Sequence, residues 1–272
     1  CLDKHTFAEL SETLSLPVPR TWRFAEIDAV DRFVSEVVYP VFAKPSHHSA
    51  WHDLPRTVTP SPRGCLLETA SALRRLLEGI ALNCGEEVLA GTVVQQYIRG
   101  PDDLQFDTHA YRRSGGDVVR LVTDRKLRTL PLGVGVGSYV RTERIDELRS
   151  LSQDVLDRLD FTGPVNLDWK QDDVTGAFYL LEINCRYAMT VELTRLCGCN
   201  LPAAGYAVMC GLPVAPAQQT DGVAWLDLHR DLRAARAIAK TNPRAWFGWV
   251  RSLLYVRGGA KFATDDPAPV FG

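Results

Sequence analysis

Two short segments in the second half of the chain alternate polar and apolar side chains. Such alternation is typical of β-strands that expose one face and bury the other. Residues 172–176 between them have the Asp and Gly content of a tight turn, so we predict a hairpin that sets Asp168 opposite Glu182. Its polar face takes Asn166, Asp168, Lys170, Glu182, Asn184 and Arg186, and its apolar face takes Val165, Leu167, Trp169, Leu181 and Ile183.

Two like charges lie side by side in this predicted hairpin. Opposed carboxylates repel each other unless a cation lies between them. Carboxylate oxygens with a neighbouring amide oxygen are ligands that Mg²⁺ prefers. The pattern therefore predicts a divalent-metal site at Asp168, Glu182 and Asn184. A solvated sheet face without a ligand is the alternative that the two strands alone leave open.

The same periodicities predict the other elements of the chain. We expect helices over residues 3–14, 68–82, 143–159, 231–240 and 243–255, and strands over residues 37–44, 92–98, 104–112, 118–125 and 223–228. Hairpins join these strands more often than helical crossovers do. The fold class that follows is α+β with antiparallel sheets.

Two stretches without clear periodicity are candidate loops over a ligand. Residues 45–64 are rich in Pro, His and Ser, and a loop of that length in a compact domain is usually functional or mobile. Its histidines, His47, His48 and His52, lack the frame of a zinc site, so we favour a loop that closes over a polyanion or is simply solvated. The glycine run at residues 133–137 lacks the spacing of a dinucleotide-binding motif, which indicates a flexible connection compatible with a lid.

Composition excludes several classes of protein. The chain has 272 residues, 46% of them hydrophobic, which is ample for a core, and a formal net charge of -2 that argues against a nucleic-acid partner. No apolar run approaches the roughly 20 residues that span a bilayer, and no signal peptide is recognisable, so we expect no membrane partner and a cytoplasmic location. The seven scattered cysteines predict reduced thiols. Cys197-Gly198-Cys199 has one intervening residue where zinc sites use two or more, and we interpret it as structural.

Lysine is scarce in this chain, and arginine is common. Where a chain otherwise uses Arg, a retained Lys suggests a need for a compact point charge, such as a phosphate contact. Lys4, Lys44, Lys126 and Lys170 are therefore candidate phosphate contacts, with chance placement as the alternative.

Four motifs occur in the order found in one family. They are Asp3-Lys4 before a helix, Tyr39-Pro40-Val41-Phe42-Ala43-Lys44-Pro45 and Val94-Gln95-Gln96-Tyr97-Ile98 at the ends of strands, and Asp168 with Glu182-Ile183-Asn184-Cys185-Arg186. In this order they resemble the ATP-grasp superfamily over residues 1–195. The resemblance is nearest to the carboxylate-amine ligases related to carbamoyl-phosphate synthase and biotin carboxylase.

The resemblance implies an ATP-grasp fold in which two α+β subdomains with antiparallel sheets clamp ATP. The subdomains would be residues 1–91 and 92–200, followed by a mostly helical extension over 201–272. ATP and Mg²⁺ (or Mn²⁺) would be the cofactors. Lys4 and Lys44 would contact the phosphates, and the remaining nucleotide contacts would be Gln95, Gln96, Tyr97 and Ile98 at the adenine and Asp103 at the ribose.

The resemblance also assigns the reacting end of the site. Asp168, Glu182 and Asn184 would hold the metal, and Arg186 would face an acyl phosphate or the carboxylate substrate. Lys126 and Arg128 are further candidates for contact with the γ-phosphate or the substrate. The implied reaction joins a carboxylate, such as an amino acid or peptide, to an amine through an acyl phosphate. The alternatives are an ATP-grasp kinase, a carboxylase-like enzyme or a non-catalytic nucleotide-binding module.

The chain departs from the family pattern at three points. The loop after Lys44 has no glycine before Gly64, where many relatives carry a glycine-rich phosphate loop. Asp168 stands where many relatives have Glu, which is a shorter reach with the same charge. The N-terminal domain that usually precedes the Asp-Lys motif is missing, so we expect that domain, or a homodimer, to complete the pocket for the small-molecule carboxylate and amine.

Overall fold

The computed structural model describes residues 4–23, 30–47, 50–133 and 135–260. It separates into two compact units, Cys1–Ile98 and Arg99–Gly272. Each unit contains a sheet with helices, in agreement with the α+β class expected from the sequence. Among the described helices, none has the length and apolar character needed to cross a membrane. The subdomain limits at residues 91 and 200 stay predictions.

The first unit has a four-stranded sheet in the order β1-β4-β2-β3, with every neighbouring pair antiparallel. Its elements are α1 (Lys4–Thr13), β1 (Thr21–Arg23), α2 (Val30–Glu36), β2 (Val41–Pro45), β3 (Cys65–Leu67), α3 (Ala70–Ala90) and β4 (Thr92–Gln96). The Thr69 hydroxyl caps α3 by accepting the Ala72 N–H, and the helix kinks at Gly85, whose φ is 82°. Glycine tolerates this left-handed φ, so the chain can kink there. The helix extends to Ala90, past its predicted end at residue 82.

The long loop over residues 45–64 is anchored in the core of the first unit. Trp51 is completely buried and Leu54 is 5% exposed, and both belong to the cluster of buried residues from α2, α3 and the sheet. Burial of a Trp side chain is worth several times the thermal energy, so this part of the loop is held in place. His47 and His52 are exposed. His48 and Ser49 lie outside the described residues.

The second unit has a seven-stranded sheet in the order β11-β10-β7-β6-β5-β8-β9, in which only the β10–β11 pair is parallel. Its elements are β5 (Gln105–Arg112), β6 (Val118–Leu130), β7 (Val136–Thr142), α4 (Asp146–Arg158), β8 (Gly163–Gln171), β9 (Phe178–Asn184), α5 (Glu192–Leu196), α6 (Leu201–Met209), β10 (Ala224–Leu226), α7 (Leu228–Ala239), α8 (Ala245–Leu253) and β11 (Val256–Gly259). Helix α4 covers one face, where the hydroxyls of Thr108 on β5 and Ser152 on α4 lie 2.9 Å apart.

Several predicted elements have different bounds in the structure. The strand predicted over residues 37–44 begins only at Val41, after Pro40, whose nitrogen cannot donate a ladder hydrogen bond. The glycine run was predicted to be a flexible connection, but Gly137 lies within β7. Strand β6 continues to Leu130, five residues beyond the predicted end at Arg125, because β7 supplies it with a partner.

Candidate active site

The predicted hairpin is confirmed as β8 and β9, which pair antiparallel with Asp168 opposite Glu182 and Asn166 opposite Asn184. The turn is closed by Asp172, whose Oδ1 accepts the backbone N–H groups of Val174 at 3.0 Å and Thr175 at 2.8 Å. A short acidic side chain that binds the backbone two residues ahead is the usual reason for Asp in such turns. The sequence therefore specifies the turn.

A β-bulge between the turn and the site sets this opposition. Trp169 pairs with Leu180 and Asp168 pairs with Glu182, so Leu181 has no partner on β8. Leu180 is completely buried, whereas Leu181 is only partly buried. The expectation that Leu181 occupies the apolar face is therefore wrong, since Leu180 takes that place. Without the extra residue, the register near the turn would set Leu181 opposite Asp168.

The two carboxylates of the hairpin are part of a longer acidic row. Asp124 on β6 pairs with Asp107 on β5, Asp107 pairs with Asp168 on β8, and Asp168 pairs with Glu182 on β9. Directly opposed residues of neighbouring strands point to the same face of a sheet. Four carboxylates thus cross four adjacent strands in one line. Asp107 and Asp124 were not predicted as site residues, and only the strand order, which the sequence does not show, brings them here.

Lys126 lies within this row and compensates part of its charge. Its Nζ is 2.9 Å from Asp107 Oδ1 and also forms an ion pair with Asp168. Burial lowers the pKa of the Lys126 ammonium, but the two carboxylates more than offset this, so the pKa is raised and the group is cationic. The pKa of Asp168 is raised to about 7, because burial and the charge of Asp107 raise it by more than Lys126 lowers it. Lys126 was predicted near a phosphate and instead lies against two carboxylates.

The exposed end of the row is completed by an amide and a guanidinium. Asn184 Nδ2 donates to Asp168 Oδ2 at 3.1 Å, and Arg186 Nη2 lies 3.4 Å from Asn184 Oδ1. The Glu182 carboxylate is exposed and has no ion-pair partner among the described residues. Carboxylate and amide oxygens are hard donors, so the chemistry of Asp168, Glu182 and Asn184 fits Mg²⁺ or Mn²⁺.

A buried histidine pairs with the other end of the row. His109 Nε2 lies 2.8 Å from Asp124 Oδ2, and both side chains are at most 1% exposed. Burial lowers the pKa of the imidazole, but the hydrogen bond and charge of Asp124 outweigh it, so the pKa of His109 is raised. Asp107, His109 and Asp124 each place a ligand atom within 4.8 Å of the others, so both carboxylates lie close to the imidazole. The other ring nitrogen, Nδ1, is buried and has no hydrogen-bond partner among the described residues.

Arg128 is placed in a different part of the second unit. Its Nε and Nη2 each donate to a carboxylate oxygen of Asp231 on α7 at 2.8 Å, and the guanidinium lies 4.2 Å from the centre of the Tyr139 ring. Asp231 is completely buried and also accepts from Ser138 and Trp249. The structure thus gives Arg128 a role in attaching α7 to β6 and β7. Its contact with phosphate or substrate stays a prediction.

The nucleotide residues expected near the adenine lie at the end of β4 in the first unit. Gln95 is buried and its Nε2 donates to Thr21 Oγ1 at 2.9 Å. The N–H groups of Gln96 and Tyr97 donate to the carbonyls of Arg20 at 2.8 Å and Pro40 at 3.3 Å. Ile98, which follows, is 4% exposed. Two of the backbone donors predicted to read adenine are therefore used within the unit.

The expected phosphate and ribose contacts are distributed over both units. Lys44 lies on β2 and is partly buried, and Lys4 begins α1 with its side chain outside the described part. Asp103 lies in a short 3₁₀ helix, Asp102–Leu104, where its carboxylate accepts from Arg125 at 3.3 Å. Lys170 donates to the carbonyls of Gly100 at 3.0 Å and Pro101 at 2.6 Å. Lys170 therefore fastens the segment that carries Asp103.

Sequence comparisons connect this arrangement with one family. A family described as ATP-grasp in the biosynthetic pathway with Ter operon matches residues 112–227. The chain is 25% identical to D-aspartate ligase of Enterococcus faecium over 205 residues, which cover 74% of this chain and 48% of the ligase. It is 23% identical to the carbamoyl phosphate synthase large chain of Methanoculleus marisnigri over 200 residues, which cover 70% of this chain and 17% of the synthase.

Solved structures confirm the fold. The biotin carboxylase domain of the Hydrogenobacter thermophilus 2-oxoglutarate carboxylase, a complex with MgADP, ADP and bicarbonate, matches with a TM-score of 0.61 at 13% identity. The match covers 82% of this chain and 48% of that domain. The chain thus spans less than half the length of each relative described here.

Proposed function

The chain contains an ATP-grasp domain, and on that premise we propose that it is the ATP-binding part of a ligase that joins a carboxylate to an amine. ATP would phosphorylate the carboxylate to an acyl phosphate with release of ADP. The amine would then attack the acyl carbon and expel inorganic phosphate. The proposal draws on the relatives, which are ATP-grasp ligases by name or fold, and on the charge balance of the acidic row.

The charge balance is the observation that carries the proposal. Four carboxylates, Asp107, Asp124, Asp168 and Glu182, share one face. Lys126 forms ion pairs with Asp107 and Asp168, and His109 pairs with Asp124. Lys170, on the same face, donates to the carbonyls of Gly100 and Pro101 instead. Glu182 has no ion-pair partner among the described residues, and Asp168 beside it shares Lys126 with Asp107, so the least compensated carboxylates lie at the exposed end. Asp168 and Glu182 are directly opposed and would repel each other when both are ionised. A divalent cation bound between them would neutralise their charges.

Each residue at the exposed end would have a separate task. Asp168, Glu182 and Asn184 would hold Mg²⁺, which when bound supplies charge neutralisation for the ATP phosphates. Lys126 would keep Asp168 ionised and oriented through their ion pair. Arg186, exposed beside Asn184, would attract the negative oxygens of the acyl phosphate. Phosphoryl transfer needs positioning and charge stabilisation more than covalent help, and these residues supply both.

The contacts with ATP outside the acidic row are a second part of the proposal. Lys44, with its fixed positive charge, would contact the phosphates, together with Lys4. Gln95, Gln96, Tyr97 and Ile98 would border the adenine, and Asp103 would accept from the ribose hydroxyls.

The test is ADP release by the full-length protein with ATP and Mg²⁺, measured with and without a carboxylate and an amine. D-aspartate is included as a candidate substrate because of the similarity to a D-aspartate ligase. We expect ADP release that requires both substrates. Its rate should fall about 100-fold or more in Glu182→Ala, because the variant loses a ligand of the Mg²⁺ that would stabilise the charge of the transition state. Glu147→Ala, which removes an exposed carboxylate of α4, is the matched control and should retain activity.

The outcomes separate the competing functions. ADP release that needs the carboxylate but no amine would indicate a kinase, and release that needs bicarbonate would indicate a carboxylase-like enzyme. Binding of ATP without turnover under any of these conditions would indicate a non-catalytic module. Equal rates for Glu182→Ala and the control would refute the metal assignment whichever reaction is found.

A further inference from the structure

A cavity of about 140 Å³ lies beside the first residues of β6 in the second unit. Strand β6 pairs with β7 only from Asp124 onward, so its earlier residues have an open edge on that side. The Gln219 side chain takes the place of a strand partner there, accepting the Thr123 N–H at 3.0 Å and donating to the Thr123 carbonyl at 2.9 Å. The cavity lies next to this junction, and none of its lining residues belongs to the candidate active site.

Three guanidinium groups from three different elements line the cavity. Arg120 comes from β6, Arg144 from the segment before α4, and Arg149 from α4. The other polar side chains of the lining are Gln153, Gln218, Gln219 and Cys199, and the lining contains no Asp or Glu. Two carboxylates bond to lining residues without being part of the wall: Asp146 pairs with Arg144, and Asp221 accepts from Gln219.

The arginines retain donors for a ligand. Arg149 Nη1 donates to the Leu121 carbonyl at 2.7 Å, and among the described residues its Nε and Nη2 have no hydrogen-bond partner. Arg144 uses its Nε on Asp146, and Arg120 uses its two Nη atoms on the carbonyls of Val119 and Ala215. Burial and the neighbouring charge of Arg144 lower the pKa of the Arg149 guanidinium. An anion in the cavity would offset this repulsion.

We propose that this cavity binds a small oxyanion such as inorganic phosphate. Guanidinium groups with free N–H pairs bind phosphate and carboxylate oxygens in a bidentate manner. The volume is roughly ten times the ~10–15 Å³ that one water needs, so a polyatomic anion fits. The amides of Gln153 and Gln218 add neutral donors to the wall, whereas the Gln219 amide donates to the Thr123 carbonyl and to Asp221. The wall offers no carboxylate to a cation.

The thiol at the border of the cavity supports a positive local potential. Cys199 lines the cavity and is 2% exposed. A hydrogen bond with Cys197 lowers the pKa of the Cys199 thiol to about 7, and the charges of Arg120 and Arg149 lower it in the same direction while burial opposes them.

The test is calorimetric titration of the full chain with inorganic phosphate at constant ionic strength, with chloride as the reference salt. We expect saturable binding that weakens at least about tenfold in Arg149→Gln, because two charged donors are lost. Gln153→Glu is the second variant, since it preserves size and places a negative charge in the wall. Arg158→Gln is the matched control on the same helix, because Arg158 pairs with Asp154 and does not line the cavity.

The pattern across variants locates the site. Loss of binding in both cavity variants with retention in Arg158→Gln supports the proposal, and thermal melts of each variant show whether it is folded. Phosphate binding that survives Gln153→Glu in folded protein would place the ligand elsewhere and overturn the proposal, as would the absence of saturable binding. A parallel titration with malonate shows whether the cavity prefers carboxylate or phosphate oxygens. Because no residue changed here belongs to the candidate active site, the outcome is independent of the ligase assay.

Discussion

Replacing Asp231 by Asn should destabilise the second unit more than any exposed charge change. Asp231 is completely buried, and its two oxygens accept four hydrogen bonds, at 2.8 Å from Arg128 Nε and from Arg128 Nη2, at 3.0 Å from Ser138 and at 2.8 Å from Trp249. Asn keeps the size but loses the charge and one acceptor. The Arg128 guanidinium, whose side chain is 14% exposed, would then be buried without a counter-charge.

The magnitude follows from the number and type of these contacts. Hydrogen bonds to a charged group contribute about 1.5–3 kcal/mol each, so simple addition of four would give about 6–12 kcal/mol. That sum ignores the cost of desolvating the carboxylate, which is several kcal/mol. Breaking one partner of a buried ion pair costs about 3–5 kcal/mol in comparable cases, and we expect Asp231→Asn to fall in that range.

The measurement is equilibrium unfolding in urea, followed by tryptophan fluorescence because Trp249 donates directly to Asp231. The matched control is Asp146→Asn, which breaks an exposed Arg–Asp pair of the same 2.8 Å length and should cost less than about 1 kcal/mol. In the double variant Arg128→Met with Asp231→Leu, the loss should be smaller than in Asp231→Asn, because no buried charge is left unpaired. Equal losses for Asp231→Asn and Asp146→Asn would refute the view that this pair anchors α7.

Two further predictions concern pH. The pKa of His109 is raised, and the charged groups that face it are Asp124, Asp107 and Lys126. The imidazolium should therefore stabilise the fold fully below the ordinary histidine pKa of about 6.5. This stabilisation should decrease as the pH rises through the raised pKa. The difference in unfolding free energy between wild type and His109→Asn should shrink as the pH rises above about 6.5, and a constant difference would contradict the assignment. Because the pKa of Asp168 is raised to about 7, protons should compete with Mg²⁺, and affinity measured by calorimetry should rise up to about tenfold per pH unit below that value and level off above it. A flat profile in wild type, or the same slope in Asp168→Asn, would show that Asp168 is not a ligand.

The local part of the candidate site could be predicted from the sequence because it depends on local chemistry. Alternation identified β8 and β9, and Asp172 with Gly176 identified the turn, but the opposition of Asp168 and Glu182 also depends on the bulge at Leu181. The bulge at Leu181 could not be predicted, since the residues on either side alternate in the usual way. Its position depends on the Trp169–Leu180 contact in the core.

The rest of the acidic row depends on strand order. Asp107 and Asp124 are distant in sequence from Asp168, and no local pattern states that β5 lies between β6 and β8. Arg128 raises the same difficulty, because its partner Asp231 lies on a helix that follows four further strands. The loop at residues 45–64 differs in kind. Trp51 could have indicated an anchored segment, since so large an apolar side chain is costly to leave in water.

The bulge at Leu181 also has a consequence for how the hairpin can change over evolution. The pairs near the turn and the pairs at the carboxylates differ in register by one residue, and the unpaired Leu181 accounts for this difference. The length of the turn and the alignment of the carboxylates can therefore change independently. An insertion or deletion of one residue near Asp172 could be compensated by moving or removing the bulge, without altering Asp168 or Glu182. Relatives should therefore vary in length between these two positions more freely than two directly opposed side chains would suggest.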